Sequence, residues 1–253
     1  MQNEKSTALS VSSIDVTKIS TIDDYLAAGQ AIINSGMTPM KKAEDVMCAA
    51  LFGKELGMSF MVSVNNIYAI QGRASVGIHV IQALLLKNGI KYTVTKDFET
   101  EYVYKAKGGR IYTEDFYHKN IDKFQIITAE TPDTLYDKTK IQVIVSADDT
   151  VTEVEFERRS KFQDGTPYTQ VHKQQYRLST ARSSGYLTKD NWKNDPANML
   201  RVRCMALGAR FIADDVLLGV LETSEVADIY NLNTNITEDG EVTIINSPTN
   251  TAN

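Results

Sequence analysis

The sequence predicts an α+β fold, in which antiparallel β-hairpins or a sheet pack against helices. Segments with the helical period of about 3.6 residues and segments with the two-residue alternation of strands both occur along the chain. The strand segments are not separated by regular crossover helices, which a parallel sheet requires. With 253 residues, of which 42% are hydrophobic, the chain is long enough to bury one good core. This length could also hold two small domains, and we favour one domain.

The two ends of the chain have the composition of flexible segments. Residues 1–20 are rich in Ser and Thr, and residues 232–253 are rich in Asn and Thr with one short β-type run. We expect both segments to be flexible and residues 21–231 to form the folded core.

The first third of the core has the pattern of helices and one hairpin. Apolar residues recur at helical spacing, with Gly36, Pro39 and Gly57 as breaks. Gln71-Gly72 between two short β-type runs is typical of a hairpin turn, and Gly89 closes the next apolar run. The expected elements are helices over Ile22–Ser35, Lys42–Leu56 and Ile78–Asn88, and a hairpin of strands Ile67–Ile70 and Arg73–Val76.

The middle of the chain favours strands. Lys91–Lys107 is rich in Tyr, Val and Thr, and Gly108-Gly109 indicates a turn after it. Further on, Ile141–Ser146 and Val151–Phe156 alternate as strands do. The Ala-Asp-Asp-Thr sequence between them, which contains Asp148 and Asp149, predicts a turn.

A basic helix is predicted near the end of the core, within Trp192–Arg210. Asp195 can cap this helix, and Pro196 fits its first turn because the N–H that proline lacks has no partner there. Arg203 and Arg210 are seven residues apart, about two turns, so they share a face of the helix, whereas Arg201 points elsewhere. Solvated arginines on a surface helix would produce the same pattern.

The charge distribution makes the chain strongly dipolar. The window 158–210 contains 11 Lys/Arg against three Asp, a net charge of +8. The whole chain is net −5, from 27 basic and 32 acidic residues, so the remainder holds 16 basic and 29 acidic residues and is net −13. This distribution excludes nonspecific coating of a polyanion by a uniformly basic protein. It is compatible with a confined cationic groove whose affinity falls as salt rises.

Several site classes find little support in the sequence. Cys48 and Cys204 are far apart, no CxxC pair occurs and the three histidines are scattered, so neither a zinc site nor a disulfide framework is expected. No run of about 18 apolar residues and no hydrophobic signal core occur, so we expect a cytoplasmic protein without a membrane span. No GxxxxGK[ST] sequence is present, and we expect no ATP use.

An acidic strand offers one alternative chemistry. Glu153, Glu155 and Glu157 alternate with Val154 and Phe156, and such carboxylates can resemble the pair of a metal-dependent nuclease. No lysine stands at a suitable spacing, so the favoured interpretation is a solvated face of a strand.

Two separated blocks in a fixed order resemble the RecT/Red-beta superfamily of phage single-strand annealing proteins. The first is LGMSFMVSVNNIYAIQGRASVGIHVIQALLLKNGIKY, and the second is WKNDPANMLRVRCMALGARFIADDVLLGVLETSEVADIY. Between them, IQVIVSADDTVTEVEFERR is similar to the family's central antiparallel hairpin. The resemblance covers roughly residues 50–230, and the order and spacing of the blocks carry it.

This resemblance implies a non-enzymatic protein without a cofactor that anneals single-stranded DNA and holds the annealed duplex in phage-type homologous recombination. It also implies a homo-oligomer, ring or helical filament, in a bacterial host cell, with a partner exonuclease or a host single-strand-binding protein as further partners. Two alternatives stay open: a protective single-strand binder without annealing activity, and a metal-dependent nuclease built around Glu155 and Glu157.

The resemblance also suggests which residues contact DNA. Arg201, Arg203 and Arg210 match basic positions on a helix that faces the bound strands in this family, and Arg73 lies near a lysine position against phosphate. The chain departs from the family where basic residues are expected, so other contacts are needed; the departures are Ala197, Asn198 and Asn65. The cationic window offers Arg158, Arg159, Lys161, Lys173, Arg177, Arg182 and Lys193.

Aromatic residues near the blocks are candidates for base stacking, which contributes about 1–3 kcal/mol per base. Tyr68 and Trp192 are the main candidates, and Tyr168, Tyr176 and Tyr186 lie nearby. For Trp192 we favour packing in the core, because a large aromatic before a helix often packs against the first turn. Tyr68 alternates with Ile67 and Ile70 along a short strand, so its side chain is as consistent with a core position as with a surface position.

Overall fold

The structure is a computed structural model, and it describes residues 19–38, 40–70, 73–230, 232, 234–236 and 242–244. Most of the two terminal segments expected to be flexible, and the Gln71-Gly72 turn, therefore lie outside the described residues. Within the C-terminal segment, residues 234–236 and 242–244 pair as antiparallel strands. Over the described residues the fold is mixed α+β with mainly antiparallel sheets, as predicted.

Helices and strands alternate irregularly along the chain. The helices are α1 (Ile22–Ser35), α2 (Ala43–Glu55), α3 (Phe60–Asn66), α4 (Ile78–Lys87), α5 (Glu114–Lys119), α6 (Leu178–Ser183), α7 (Asp190–Asn194), α8 (Pro196–Leu217) and α9 (Thr223–Ile229). The strands are β1 (Ile67–Ile70), β2 (Arg73–Val76), β3 (Ile90–Ala106), β4 (Ile111–Thr113), β5 (Phe124–Ile126), β6 (Ile141–Lys161), β7 (Pro167–Arg177), β8 (Leu221–Glu222), β9 (Thr234–Ile236) and β10 (Val242–Ile244). Short 3₁₀ helices occur at Ile121–Lys123, Asp133–Leu135 and Tyr186–Thr188.

The predicted elements of the first third are confirmed. Helix α1 begins after a capping box, in which the Thr21 hydroxyl accepts from the Asp24 N–H and the Asp24 carboxylate accepts from the Thr21 N–H. It ends at Gly36, whose φ of 74° is the left-handed conformation that glycine adopts without strain. Strands β1 and β2 pair antiparallel, Ile67 opposite Val76, as the hairpin prediction requires.

The predicted turn at Asp148-Asp149 is wrong. Strand β6 runs unbroken for 21 residues and pairs antiparallel with β3, whose residues 90–106 lie opposite residues 158–143. The ladder continues through Asp149, and a register shift at Glu101/Tyr102 absorbs the irregularity. The Asp149 carboxylate accepts from the backbone of Thr150 and Ser179 instead of organising a turn. The segment compared with a central hairpin is therefore a single strand.

The actual hairpin in this region lies between β6 and β7, and it was not predicted. The Phe162 N–H donates to the Thr166 carbonyl at 2.9 Å, and Gly165 has a φ of 86°. The Asp164-Gly165 dipeptide was the missed signal, because Asp-Gly is a favoured hairpin turn sequence. In the large sheet, the strand order is β4-β3-β6-β5. Strand β7 pairs with the same edge of β6 as β5 does, but further along β6.

The main core lies between this sheet and α8. Helix α8 crosses the face of β6 and β7 that carries Val154 and Phe156, and α4 packs against both α8 and β3. A methyl group on Gly208 would lie 2.2 Å from the Phe156 ring, so glycine permits the close approach of helix and strand. The Cys204 thiol also contacts the Gln174 carbonyl of β7, at 3.0 Å.

Three smaller clusters complete the interior. One joins α1, α2 and α3 around Tyr25 and Val46, and one lies under α7 and α8 around Trp192. The third is at the far end of the β3–β6 ribbon, where Tyr104 and Tyr117 stack with ring centroids 3.9 Å apart.

Among the described helices, none is by itself both long and apolar enough to span a bilayer. Helices α2 and α3 together have the length and apolar composition of a membrane span, but they are bent by 116° with respect to each other.

Candidate nucleic-acid interface

Helix α8 begins as predicted. The Asp195 carboxylate accepts from the Asn198 N–H at 3.0 Å, and Pro196 occupies the first turn. The helix continues beyond the predicted end at Arg210 to Leu217, with a break in helical geometry at Ala213 (φ −140°).

Arg203 and Arg210 share one face of α8, and that face is covered by α9. Arg203 donates to Asp228 and lies 3.5 Å from Glu225, which also accepts two hydrogen bonds from Arg210. The side chains of Arg203, Glu225 and Asp228 are 7%, 5% and 1% exposed. Asp228 also binds Lys189 at 2.8 Å. These cations are matched by protein carboxylates in this conformation.

The sequence contains a signal for this network. Glu222, Glu225 and Asp228 are spaced by three residues, which places them near one side of a helix. An acidic side of α9 can therefore pair with the basic side of α8. Contact of DNA with Arg203 would require α9 to move away, whereas Arg210 keeps a quarter of its side chain exposed.

Arg201 lies on the surface, away from this network. Its guanidinium binds Asp97 of β3 at 2.6 Å, and both side chains are about half exposed. Exposed ion pairs contribute roughly 0–1 kcal/mol, so Arg201 can exchange Asp97 for a phosphate at little cost.

Glu222 is a fully buried carboxylic acid that caps α9. Its side chain accepts hydrogen bonds from the Ser224 N–H and hydroxyl, while its other oxygen has no partner among the described residues. Burial raises the pKa of Glu222 to about 7, although the Ser224 hydrogen bonds oppose this rise.

The raised pKa predicts a stability that falls as pH rises. Between the ordinary pKa of 4.5 and about 7 the unfolded chain loses this proton while the folded protein keeps it, so unfolding becomes easier. Glu222→Gln should therefore gain stability relative to the wild type from pH 5 to pH 8, reaching about 3 kcal/mol at about 1.4 kcal/mol per pKa unit. Urea denaturation at several pH values measures this. The exposed Glu130→Gln is the control, and a pH-independent difference for Glu222→Gln would contradict the prediction.

The outer face of the sheet, opposite α8, carries a line of basic side chains. The β6–β7 register places Arg159 and Lys161 of β6 beside the start of β7, Lys173 of β7 opposite Glu155, and Arg177 at the end of β7. We call these four basic residues the cationic stripe. It follows β7 for about 33 Å at about 3.3 Å per residue.

The ion pairs between the cationic stripe and the neighbouring carboxylates are largely exposed to solvent. Arg159 is 77% exposed and lies 3.4 Å from Glu157, and Lys173 is 56% exposed with Glu155 at 2.9 Å. Arg177 is less exposed and binds a carboxylate of β3. Because exposed ion pairs contribute little, Arg159 and Lys173 are accessible to an anionic ligand.

The other predicted cations are dispersed. Arg158 lies on the α8 face of the sheet, where it binds both carboxylate oxygens of Asp215. Arg73 in β2, Arg182 in α6 and Lys193 in α7 are exposed. Arg158 is therefore on the opposite face of the sheet from the stripe, and the other three belong to other elements.

The two aromatic candidates differ in position. Trp192 is buried and packs against Tyr186, with ring centroids 5.7 Å apart, so it takes the favoured core role. Tyr68 is half-buried in β1, and its hydroxyl lies 3.4 Å from the Asn65 carbonyl. The more exposed rings near the stripe lie instead at the β6–β7 turn.

Glu153, Glu155 and Glu157 lie on a partly exposed face of β6, in agreement with the interpretation favoured from the sequence. Glu153 contacts Thr95 of β3 and Gln175 of β7, Glu155 contacts Lys173 of β7, and Glu157 contacts Arg159 of its own strand. Within the described part of the chain, no three His, Cys, Asp or Glu side chains are grouped so as to hold a metal ion.

The buried thiol of Cys204 is not set up as a nucleophile. Burial raises its pKa to about 12, which keeps it protonated.

A scan against protein-family models gave no match to this chain. Searches among curated proteins and among solved structures gave no match either.

Proposed function

We propose that this protein is an ATP-independent single-strand DNA annealing protein that binds the strands along the cationic stripe. The observation that supports this proposal best is the stripe itself, four basic residues on one face of a two-stranded ribbon, within a window of net charge +8. The resemblance of the two sequence blocks to annealing proteins supports the same function. The protein is proposed to act without a cofactor in the cytoplasm of a bacterial host.

For this function the cationic stripe needs only to hold the phosphates of a strand. Arginine and lysine hold phosphates and position a strand without reading its sequence. The row Glu153, Glu155 and Glu157 lies directly beside the stripe and repels phosphates, so a strand is held along β7 and is not wrapped across the sheet. Bases that are left unpaired on a held strand can sample a second strand, and base pairing then supplies the specificity.

An oligomer would extend the stripe into a longer track. One stripe of about 33 Å matches roughly ten phosphates of one strand at the B-DNA spacing of about 3.4 Å. The rest of the chain is net −13 and repels DNA. Protomers aligned side by side, in a ring or filament, would join their stripes and bind many phosphates at once. A partner exonuclease or a host single-strand-binding protein is part of the proposal on the resemblance alone.

The test is annealing of two complementary strands of about 50 nucleotides, added in succession without ATP or magnesium. The variant is Arg159→Ala/Lys161→Ala/Lys173→Ala, and the control Lys41→Ala/Lys42→Ala/Lys54→Ala makes the same charge change at exposed lysines around α2. We expect the wild type and the control to accelerate annealing. We expect the stripe variant to lose acceleration and to reduce the log–log salt slope of single-strand binding by about 2, since each phosphate contact contributes about 0.7.

Other outcomes select other functions. A wild type that coats each strand and slows pairing is a protective single-strand binder. Cleavage that needs magnesium and is lost in Glu155→Gln would support a nuclease. If the stripe variant and the lysine control behave alike, DNA does not follow β7.

A further inference from the structure

The tip of the β6–β7 hairpin carries two exposed aromatic rings. The contacts of α8 with β6 reach Arg158 through Asp215, and the helix ends at Leu217. Beyond that point, Phe162 and Tyr168 stack on each other, with ring centroids 4.4 Å apart and an interplanar angle of 29°. They are 58% and 37% exposed. The rings are thus held in place by each other and stay open to solvent.

A second stacked pair lies on the same face of β7. Tyr168 and His172 are four residues apart, which places them on the same side of the strand about 13 Å apart. His172 stacks on Phe211 of α8, with centroids 4.0 Å apart, and Phe211 is 65% exposed. We call Phe162, Tyr168, His172 and Phe211 the aromatic platform.

Hairpin stability explains only part of this arrangement. A cross-strand aromatic pair contributes about 0.2–1 kcal/mol to a hairpin, which accounts for Phe162 stacking on Tyr168. It does not account for Phe211, which belongs to a helix and leaves most of its ring in solvent. Large exposed aromatics grouped on one surface mark a binding site.

The strand edge links the platform to the cationic stripe. In the described sheet, β7 pairs with β6 along one edge and has no strand on the other. Even-numbered side chains of β7, including Tyr168 and His172, point to the α8 side, and odd-numbered ones, including Lys173, point to the outer side. A chain lying along this open edge can contact the rings on one side and the cations on the other.

The charges beside the rings favour nucleic acid over a protein partner. Arg159 and Lys161 lie on the reverse side of the same hairpin tip, and Arg158 is next to the platform. Arginines and aromatic rings occur in both kinds of site, but lysines such as Lys161 are depleted in protein interface cores, whereas single-strand sites combine such cations with stacking rings. We propose that the aromatic platform stacks bases of single-stranded nucleic acid whose phosphates follow the cationic stripe. This inference rests on the proposed function and adds the contacts made to the bases.

The experiment separates base contacts from phosphate contacts. Fluorescence anisotropy measures binding of an oligothymidylate of about 30 nucleotides and of a strand of equal length that is abasic throughout. We expect the wild type to prefer the base-bearing strand about tenfold, which corresponds to a single stacked base. Phe162→Ala/Tyr168→Ala should lose this preference, bind the abasic strand as the wild type does and keep the salt slope.

Two controls exclude other reasons for a loss. Phe116→Ala removes another exposed ring, which stacks on Tyr112 at the far end of the sheet, and it should keep the preference. Phe162→Leu/Tyr168→Leu keeps the apolar bulk without aromatic faces, and it should lose the preference while circular dichroism shows an intact fold.

The results that would contradict base stacking by the aromatic platform differ from those that would contradict the proposed function. If the wild type binds both strands equally, or if the leucine variant keeps the preference, the platform does not stack bases while stripe binding stands. If light scattering shows that the alanine variant loses self-association without DNA, the platform is an interface between copies of the chain. A wild type that binds neither strand overturns the proposed function, and the inference with it.

Discussion

Replacing Arg203 with methionine should lower the free energy of unfolding by about 3–5 kcal/mol. The substitution leaves the carboxylate of Asp228, 1% exposed, with one fewer cation, and it removes a partner of Glu225. Removing one member of a buried ion pair costs this much because the remaining charge is neither hydrated nor paired. For a chain of this length we expect the melting temperature to fall by about 10 °C in differential scanning calorimetry.

Arg201→Met is the matched control for this substitution. Arg201 lies on the same helix, but its ion pair with Asp97 is at the surface, where both side chains are about half exposed. Both carboxylate and guanidinium can therefore be hydrated when the pair is broken. Arg201→Met should cost no more than about 1 kcal/mol.

A double variant tests the pairing directly. Arg203→Met/Asp228→Leu removes both charges, so it should be less destabilised than the sum of the two single variants. An Arg203→Met protein that melts like the wild type but no longer binds DNA would contradict this prediction. It would show that Arg203 contacts DNA, as the family resemblance implies.

Gly208→Ala should destabilise the protein by about 3 kcal/mol, although alanine is the better helix former by about 1 kcal/mol. The new methyl group would lie 2.2 Å from the Phe156 ring and 2.9 Å from the Gln174 Cβ. The Phe156 ring is completely buried and cannot move aside without displacing its neighbours. Overpacking of this kind typically costs about 1–3 kcal/mol, and this contact is severe. Urea denaturation measures the change.

Gly29→Ala in α1 is the matched comparison. Its methyl group would meet the Ala43 carbonyl at 3.1 Å and the Val46 Cβ at 3.2 Å, contacts that a small shift of α1 relieves. We expect Gly29→Ala to be clearly less harmful than Gly208→Ala, and Phe156→Leu to rescue part of the Gly208→Ala loss. If Gly208→Ala is as stable as the wild type, α8 does not rest on β6 at this distance.

Local signals in the sequence predicted correctly those elements whose ends are set by their own residues. Gly36 located the end of α1, Asp195 and Pro196 located the start of α8, and the β1–β2 hairpin followed from its two short runs. The prediction failed at Asp148-Asp149, because turn-forming residues there are held in a strand by the ladder to β3 and by the contact of Asp149 with Ser179. Long-range pairing outweighed the local preference.

In the candidate site, too, some properties follow from the sequence and others from the tertiary structure. The net charge of +8 in the window 158–210, the shared face of Arg203 and Arg210, and the alternation of charged and apolar residues in β6 are properties of the sequence. Tertiary structure decided which charges face solvent: α9 buries Arg203 and pairs with Arg210, while the outer face of the β6–β7 ribbon leaves Arg159, Lys161 and Lys173 exposed. The physical reason is that charge and periodicity belong to the chain itself, whereas exposure depends on which distant segments pack against it.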